Sequence, residues 1–152
     1  MNNTSSMRLV AMYVLLAPLV HLGEYLAVSG TSPWWTHMTY MFGHAGWAHY
    51  LLNGIGWTMM RPILTPARTL TAITIAALLP PAAIPVLGWS VVLYYYLGLC
   101  LAGMRTGDRI RLLLVVGMGF FIPWIAAWHH AAMLAAGWMI RKIDRKWENT
   151  MY

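Results

Sequence analysis

Long apolar stretches separated by short polar turns dominate the sequence. Their limits at charged and turn residues predict six membrane-spanning segments, at about 9–28, 42–60, 69–87, 88–104, 110–126 and 127–140. Several are shorter than the ~20 residues with which a lipid-facing helix crosses ~30 Å of hydrocarbon, so we expect those helices to lie inside a bundle or beside a water-filled cavity. The pattern therefore predicts an all-α membrane protein in which residues 1–152 form one domain.

The composition supports this class. Hydrophobic residues make up 60% of the chain and charged residues only 9%, with a mean hydropathy of +0.59. A soluble domain carries about 25% charged residues, so soluble globular, disordered and disulfide-stapled secreted proteins are excluded. Cys100 is the only cysteine, which rules out an intramolecular disulfide or a cysteine-based zinc site. We expect neither a metal nor a cofactor.

The positive charges indicate a membrane topology. All ten Lys and Arg residues lie in short clusters between apolar runs, a distribution that does not suggest nucleic-acid binding. With a cytoplasmic N-terminus, six alternating crossings place both termini and every cation on the cytoplasmic side, as the positive-inside rule requires. These cations are Arg8, Arg61, Arg68, Arg105, Arg109, Arg111, Arg141, Lys142, Arg145 and Lys146. We predict an integral protein of the bacterial inner (cytoplasmic) membrane.

Every histidine falls on the opposite, outer side of this topology. Ionisable residues within spans are costly and usually face a bundle interior or a cavity, so a polar recess open to the outside is the expected functional site. The six histidines are His21, His37, His44, His49, His129 and His130.

Two polar residues of the second span and one of the fourth suggest chemistry. His49 and Asn53 lie one helical turn apart and would form a neutral donor pair suited to an oxyanion, or they join helices by hydrogen bonds. Ser90 lies in the first turn after Gly88, where the helix N-terminus would assist a nucleophile. A capping or interhelical role for Ser90 is the alternative.

The two histidines that open the sixth span provide a base for this serine. A serine needs a neighbouring base to become a useful nucleophile. Counted back to the cytoplasmic charges, Ser90, His49, His129 and His130 differ in depth by at most about 6 Å. We therefore expect these side chains to meet in the recess.

With these residues the chain resembles the rhomboid family of intramembrane serine proteases. Three features support the resemblance: the HxxxxHxxxN pattern of His44, His49 and Asn53; the Gly88-x-Ser90 motif followed by Tyr94 and Gly98; and a histidine at the start of the last span. The resemblance covers roughly residues 33–140 and implies a six-helix rhomboid-like bundle.

The resemblance implies a Ser–His dyad that cleaves membrane-anchored proteins near the outer bilayer surface, with the active site facing the periplasm. Ser90 would attack the carbonyl, and Asn53, His49 and the Ser90 N–H would hold the oxyanion. Tyr94 would pack against the base, and small residues such as Gly98 would let the fourth and sixth helices approach closely. The expected partners are the bilayer and single-pass or C-terminally anchored substrates, the latter typical of the rhombosortase branch.

The identity of the base and the activity itself leave alternatives. Successive helical residues point ~100° apart, so only one of the paired histidines can face Ser90; we take His130 as the base and His129 as the alternative. Val91 stands where the family usually has glycine, and a shifted register puts Met133 in the base position. Both features fit an inactive relative that binds membrane clients. A haem protein ligated by His49 with His129 or His130 is a further alternative.

Overall fold

The chain folds into helices. The computed structural model describes residues 3–122 and 125–150, with side chains for 4–122 and 125–144, and in these ranges it contains eight α-helices and no strand. The all-α class is thus confirmed. The helices are α1 (Asn3–Val14), α2 (Gly23–Leu26), α3 (Thr36–Thr39), α4 (Trp47–Met59), α5 (Pro66–Leu78), α6 (Ser90–Leu101), α7 (Thr106–Gly119) and α8 (Ala127–Thr150). Three 3₁₀ turns cover Ala17–Leu22, Tyr40–Phe42 and Arg61–Ile63.

The chain divides into two compact units, residues 1–93 and 94–152. In the first unit α1 packs against α4, α5 and the 3₁₀ turn after α4, and α3 packs against α5. The Trp57 indole N–H donates to the Leu9 carbonyl at 3.0 Å, and Trp57 is fully buried. This bond gives a buried donor its partner and ties α4 to α1. The prediction of one domain stays a prediction.

Prolines explain where two predicted spans are interrupted. The first predicted span, 9–28, contains the end of α1 at Val14, followed by a 3₁₀ turn with Pro18 in its first positions. The third, 69–87, overlaps α5, which begins at Pro66 and ends at Leu78, two residues before Pro80. Proline lacks an N–H, so Pro18 cannot donate to the carbonyl of Val14, where α1 ends. Leu79, directly before Pro80, is extended, the conformation that a residue before proline prefers.

The other predicted spans differ from the helices mainly at their ends. The second and fourth, 42–60 and 88–104, contain the shorter helices α4 and α6. The fifth, 110–126, overlaps α7, which begins four residues earlier; its residues 123 and 124 lie outside the described residues. The sixth, 127–140, is the first part of α8. The helix continues to Thr150, because Arg and Lys are good helix formers and need no apolar surroundings. The side chains of residues 145 and 146 also lie outside the described residues.

Length and apolarity together single out one segment. In the described part of the chain no individual helix is both long and apolar enough to cross a membrane, whereas Thr4–Val14 and Ala17–Leu26 meet that criterion as a pair bent by 42°. The six-span arrangement stays a prediction.

Two glycines in the second unit bring α6 and α8 into backbone contact. A Cβ on Gly98 would collide with the Leu134 carbonyl oxygen, and one on Gly137 would collide with the Tyr95 carbonyl oxygen. Each glycine therefore faces the main chain of the other helix, the arrangement by which small residues let helices approach closely. The resemblance implies this contact for the fourth and sixth spans.

We predict that Gly137→Ala lowers the free energy of unfolding by about 2 kcal/mol, because the added methyl forces the α6 and α8 backbones apart. Gly117→Ala in α7 is the matched control, since a Cβ there meets nothing within 4 Å. The control should leave stability unchanged or raise it by up to about 1 kcal/mol through helix propensity. Thermal unfolding followed by circular dichroism measures both, and equal shifts for the two variants would contradict the prediction.

Candidate active site

The turn before α4 sets the hydrogen-bonding state of His49. Gly46 has a φ of +120° and ends this turn, and the Ala45 N–H donates to Nδ1 of His49 at 3.3 Å. A nitrogen that accepts this bond carries no proton, so the neutral imidazole has its proton on Nε2. His49 therefore presents an N–H donor from the ring nitrogen opposite the turn.

The segment that leads to Ser90 is held by backbone hydrogen bonds. Val28 and Val86 exchange two of them, at 2.9 and 2.8 Å, and the Gly88 N–H donates to the Tyr40 carbonyl at 2.9 Å. The Tyr40 hydroxyl donates to the Ala76 carbonyl in α5 at 3.0 Å, and burial raises the pKa of this phenol, which keeps it neutral. The irregular segment before α6 is thereby held at two points of the first unit: at Val28, which follows α2, and at Tyr40, whose side chain is bonded to α5.

Trp89 anchors the start of α6. It is 1% exposed, and its ring lies edge-on to Trp57, with centroids 5.2 Å apart, and 5.7 Å from Phe42. Its carbonyl accepts the first hydrogen bond of the helix, from Leu93. The next residue, Ser90, is half-buried and opens α6, where backbone N–H groups of the first turn face away from the helix.

Gly88 brings this segment against the polar face of α4. Its φ is +119°, and a Cβ on it would lie 2.8 Å from Nε2 of His49 and 3.5 Å from Nδ2 of Asn53. Asn53 is buried, and its Nδ2 has no acceptor among the described residues. A buried donor without an acceptor costs about 1–3 kcal/mol. Two donors thus lie beside the backbone two residues before Ser90.

The second unit contains the candidate base. The rings of Tyr94 and His130 are stacked, with centroids 4.2 Å apart and an interplanar angle of 14°. His130 is half-buried, whereas His129 is 1% exposed. Adjacent residues of α8 point in different directions, so the two imidazoles have different surroundings. Tyr94 thus contacts the histidine that the sequence favours as the base.

The remaining sequence-predicted residues have clear positions. His44 is buried, and its ring lies edge-on to that of His49, with centroids 5.4 Å apart. Val91, where the family usually has glycine, is fully buried. Met133 is fully buried as well. Over the described residues, no group of three or more His, Cys, Asp or Glu side chains is arranged to hold a metal ion.

Two parts of the site have no signal in the sequence. Tyr13, in α1, hydrogen-bonds to His44 over a separation of 31 residues. Ala45 contributes only its backbone N–H, which any residue except proline would offer. Neither spacing nor residue type distinguishes them, because both roles depend on long-range packing.

The glycine at position 88 serves two purposes, which substitution can separate. Gly88→Ala introduces both backbone strain and a collision with His49, whereas Gly46→Ala introduces strain alone, since its φ is also near +120° but a Cβ meets nothing within 4 Å. We expect Gly46→Ala to lower the free energy of unfolding by about 1 kcal/mol and Gly88→Ala by about 3 kcal/mol. Thermal unfolding measures the difference, and equal losses would show that the His49 contact is unimportant.

Comparison with models of known protein families finds no match to this chain, and comparison with curated proteins finds no significant match.

Proposed function

We propose that the protein is an intramembrane serine protease that cleaves membrane-anchored proteins near the outer surface of the bilayer. One observation carries the proposal: His49 Nε2–H and Asn53 Nδ2, which has no acceptor among the described residues, both lie beside Gly88, two residues before Ser90. Preorganised donors of this kind stabilise the negative charge that develops when a nucleophile attacks a carbonyl. The donors are neutral, as a site with little water requires.

The proposed reaction follows from the residue types. Ser90 Oγ attacks the carbonyl carbon of the scissile peptide bond and transfers its proton to His130, while His49 and Asn53 donate to the oxyanion. Collapse of this intermediate breaks the C–N bond, and His130 delivers the proton to the leaving amine. Water, deprotonated by His130, then attacks the acyl carbonyl; the bond from this carbon to Ser90 Oγ breaks, Oγ takes the proton back from His130, and the new C-terminal acid leaves.

Tyr94 would orient the base in the absence of a carboxylate. In a Ser–His–Asp triad an aspartate holds the imidazole in its working tautomer and orientation. Here the near-parallel stacking of Tyr94 on His130, within the second unit, restricts the rotation of the imidazole instead. A dyad held by ring stacking is the chemistry that the rhomboid resemblance implies.

Exposed apolar side chains support a membrane location. On α4 they recur at helical spacing, with Leu52 at 68% and Met59 at 70% exposure, and Phe121 after α7 is 88% exposed. Soluble monomers rarely expose contiguous apolar surface of this kind, whereas lipid covers it favourably. An apolar groove of about 480 Å³ between α1 and α4 extends this surface. We propose that the protein lies in the bacterial inner membrane with its active site toward the periplasm.

The substrate class follows from the proposed location. A site near the outer leaflet reaches peptide bonds at the outer end of a transmembrane helix. We propose single-pass or C-terminally anchored proteins as substrates, and the rhombosortase-like features favour a final helix followed by a short basic tail on the cytoplasmic side.

Cleavage of a transmembrane reporter tests the activity. We expect Ser90→Ala and His130→Ala to abolish cleavage, and Ser90→Ala to abolish labelling by a fluorophosphonate, because each removes one partner of the dyad. Asn53→Ala should lower kcat by about 10²–10³-fold, since it removes one oxyanion donor. His129→Ala is the control and should retain cleavage; its loss together with retained activity in His130→Ala would make His129 the base.

Two outcomes would contradict the proposal. Cleavage that persists in Ser90→Ala would exclude the serine mechanism. A folded wild-type protein that binds the reporter without cleaving it, and does not react with the fluorophosphonate, would instead identify an inactive relative that binds membrane clients. A Soret band in the purified protein would favour the haem alternative.

The topology can be tested with single cysteines in a Cys100→Ser background. Gly30→Cys, between the first and second predicted spans, should react with a membrane-impermeant maleimide in intact cells, whereas Gly107→Cys should react only after permeabilisation. Both positions are exposed and accept a Cβ without contact, so accessibility depends on the membrane alone. The reverse pattern would invert the orientation, and equal labelling of both would contradict a membrane-spanning arrangement.

A further inference from the structure

We infer that Tyr13, in α1, is a positioning residue for the oxyanion site. Through His44 it holds the turn whose Ala45 N–H keeps the proton of His49 on Nε2. The inference rests on the proposed function, since it assigns to Tyr13 a role in preparing an oxyanion donor. Tyr13 itself does not contact the substrate.

The hydrogen bonds of Tyr13 determine the tautomer of His44. The Tyr13 hydroxyl donates its single proton to the Tyr50 carbonyl at 2.6 Å. It also lies 3.1 Å from Nε2 of His44, so in that bond it accepts, and His44 Nε2 is the protonated nitrogen. A neutral imidazole carries one such proton, so His44 Nδ1 is the unprotonated nitrogen.

Packing holds the Tyr13 hydroxyl in place. Tyr13 is 4% exposed, and its ring is stacked on that of Tyr50, with centroids 4.9 Å apart and an interplanar angle of 12°. A Cβ on Gly54 would lie only 3.0 Å from Cε1 of Tyr13. The glycine thus permits the close approach of α1 to α4, which brings the Tyr13 hydroxyl within hydrogen-bonding distance of the Tyr50 carbonyl and of His44 Nε2.

His44 connects Tyr13 to the turn before α4. The residue is 1% exposed, and a Cβ on Gly23 would collide with its carbonyl oxygen, so the main chain on one side of the turn is closely packed. The bond to Tyr13 fixes the ring on the other side. Ala45 follows directly, and its N–H reaches His49 Nδ1 at 3.3 Å, a long bond that a small shift of the turn would break.

Loss of that bond would leave the proton of His49 free to occupy either nitrogen. In molecules with the proton on Nδ1, Nε2 would have a lone pair toward Gly88 and would repel an oxyanion instead of donating to it. The effect falls on transition-state stabilisation and not on substrate binding, because the oxyanion exists only after attack.

Tyr13→Phe tests the inference, because it removes the hydroxyl and retains the ring. We expect kcat for the transmembrane reporter to fall about ten-fold with KM unchanged, less than the ~10²–10³-fold loss from removing a donor outright. Tyr50→Phe is the matched control: its hydroxyl shares its one proton between the carbonyls of Tyr13 and Val14, at 3.3 and 3.2 Å, and does not bond to His44. The control should keep the wild-type kcat; equal losses in both variants would overturn the inference.

Two further measurements separate positioning from simple stabilisation. In a His49→Ala background, Tyr13→Phe should have no further effect on kcat, because the donor that it positions is already absent; an additive ten-fold loss would overturn the inference. Nitrogen-15 NMR of labelled histidines should show His44 and His49 protonated on Nε2 in the wild type and a mixed state for His49 in Tyr13→Phe. An unchanged His49 signal in that variant would overturn the inference.

The NMR measurement does not depend on activity. If wild-type protein cleaves nothing, the proposed function fails, yet the histidine signals still report whether Tyr13 controls the proton of His49. If Tyr13→Phe does not fold, the wild-type signals decide: His44 protonated on Nδ1 would contradict the hydrogen-bond assignment on which the inference rests.

Discussion

The close approach of Gly88 to the polar face of α4 is the contact on which the candidate site depends. A glycine with a φ of +119° brings the main chain within reach of His49 and Asn53, and a Cβ there would collide with the His49 ring. The bridge between Val28 and Val86 and the bond from Gly88 to Tyr40 hold the segment against this face. The backbone before Ser90 is therefore fixed by main-chain bonds, although it belongs to no regular element.

Polar groups inside an apolar protein restrict one another. Tyr13 has one proton, which goes to the Tyr50 carbonyl, so its interaction with His44 can have only one direction. The Ala45 N–H likewise decides which nitrogen of His49 is protonated. Asn53 Nδ2 and Trp89 Nε1 are buried donors in this part of the described structure for which the protein provides no acceptor. Under the proposed function, the free donor of Asn53 is available to the oxyanion.

Glycines act in distinct ways in the two units. In the second unit Gly98 and Gly137 remove bulk so that two helix backbones touch, whereas Gly54 in the first unit makes room for an aromatic ring. Gly88 combines a conformation that other residues avoid with a steric requirement. Because these demands differ, substitutions at glycines that look alike in the sequence should have unequal effects.

The sequence by itself determined the helical class and the candidate chemistry. Apolar runs predict helices, and the spacing of His49 and Asn53 puts them on one face of α4, because both properties are local. Helix ends near Pro18 and Pro80 also follow from proline chemistry, although the apolar pattern alone extends the predicted spans past them.

Only the tertiary structure decided which groups share a hydrogen bond. The partnership of Tyr13 with His44 and the contact between Gly88 and α4 join residues more than thirty positions apart, and no periodicity encodes such a pairing. The tautomer of His49 depends on a backbone N–H, which every residue but proline has. Local sequence specifies which donors exist, whereas the packing of helices on one another specifies where their protons lie.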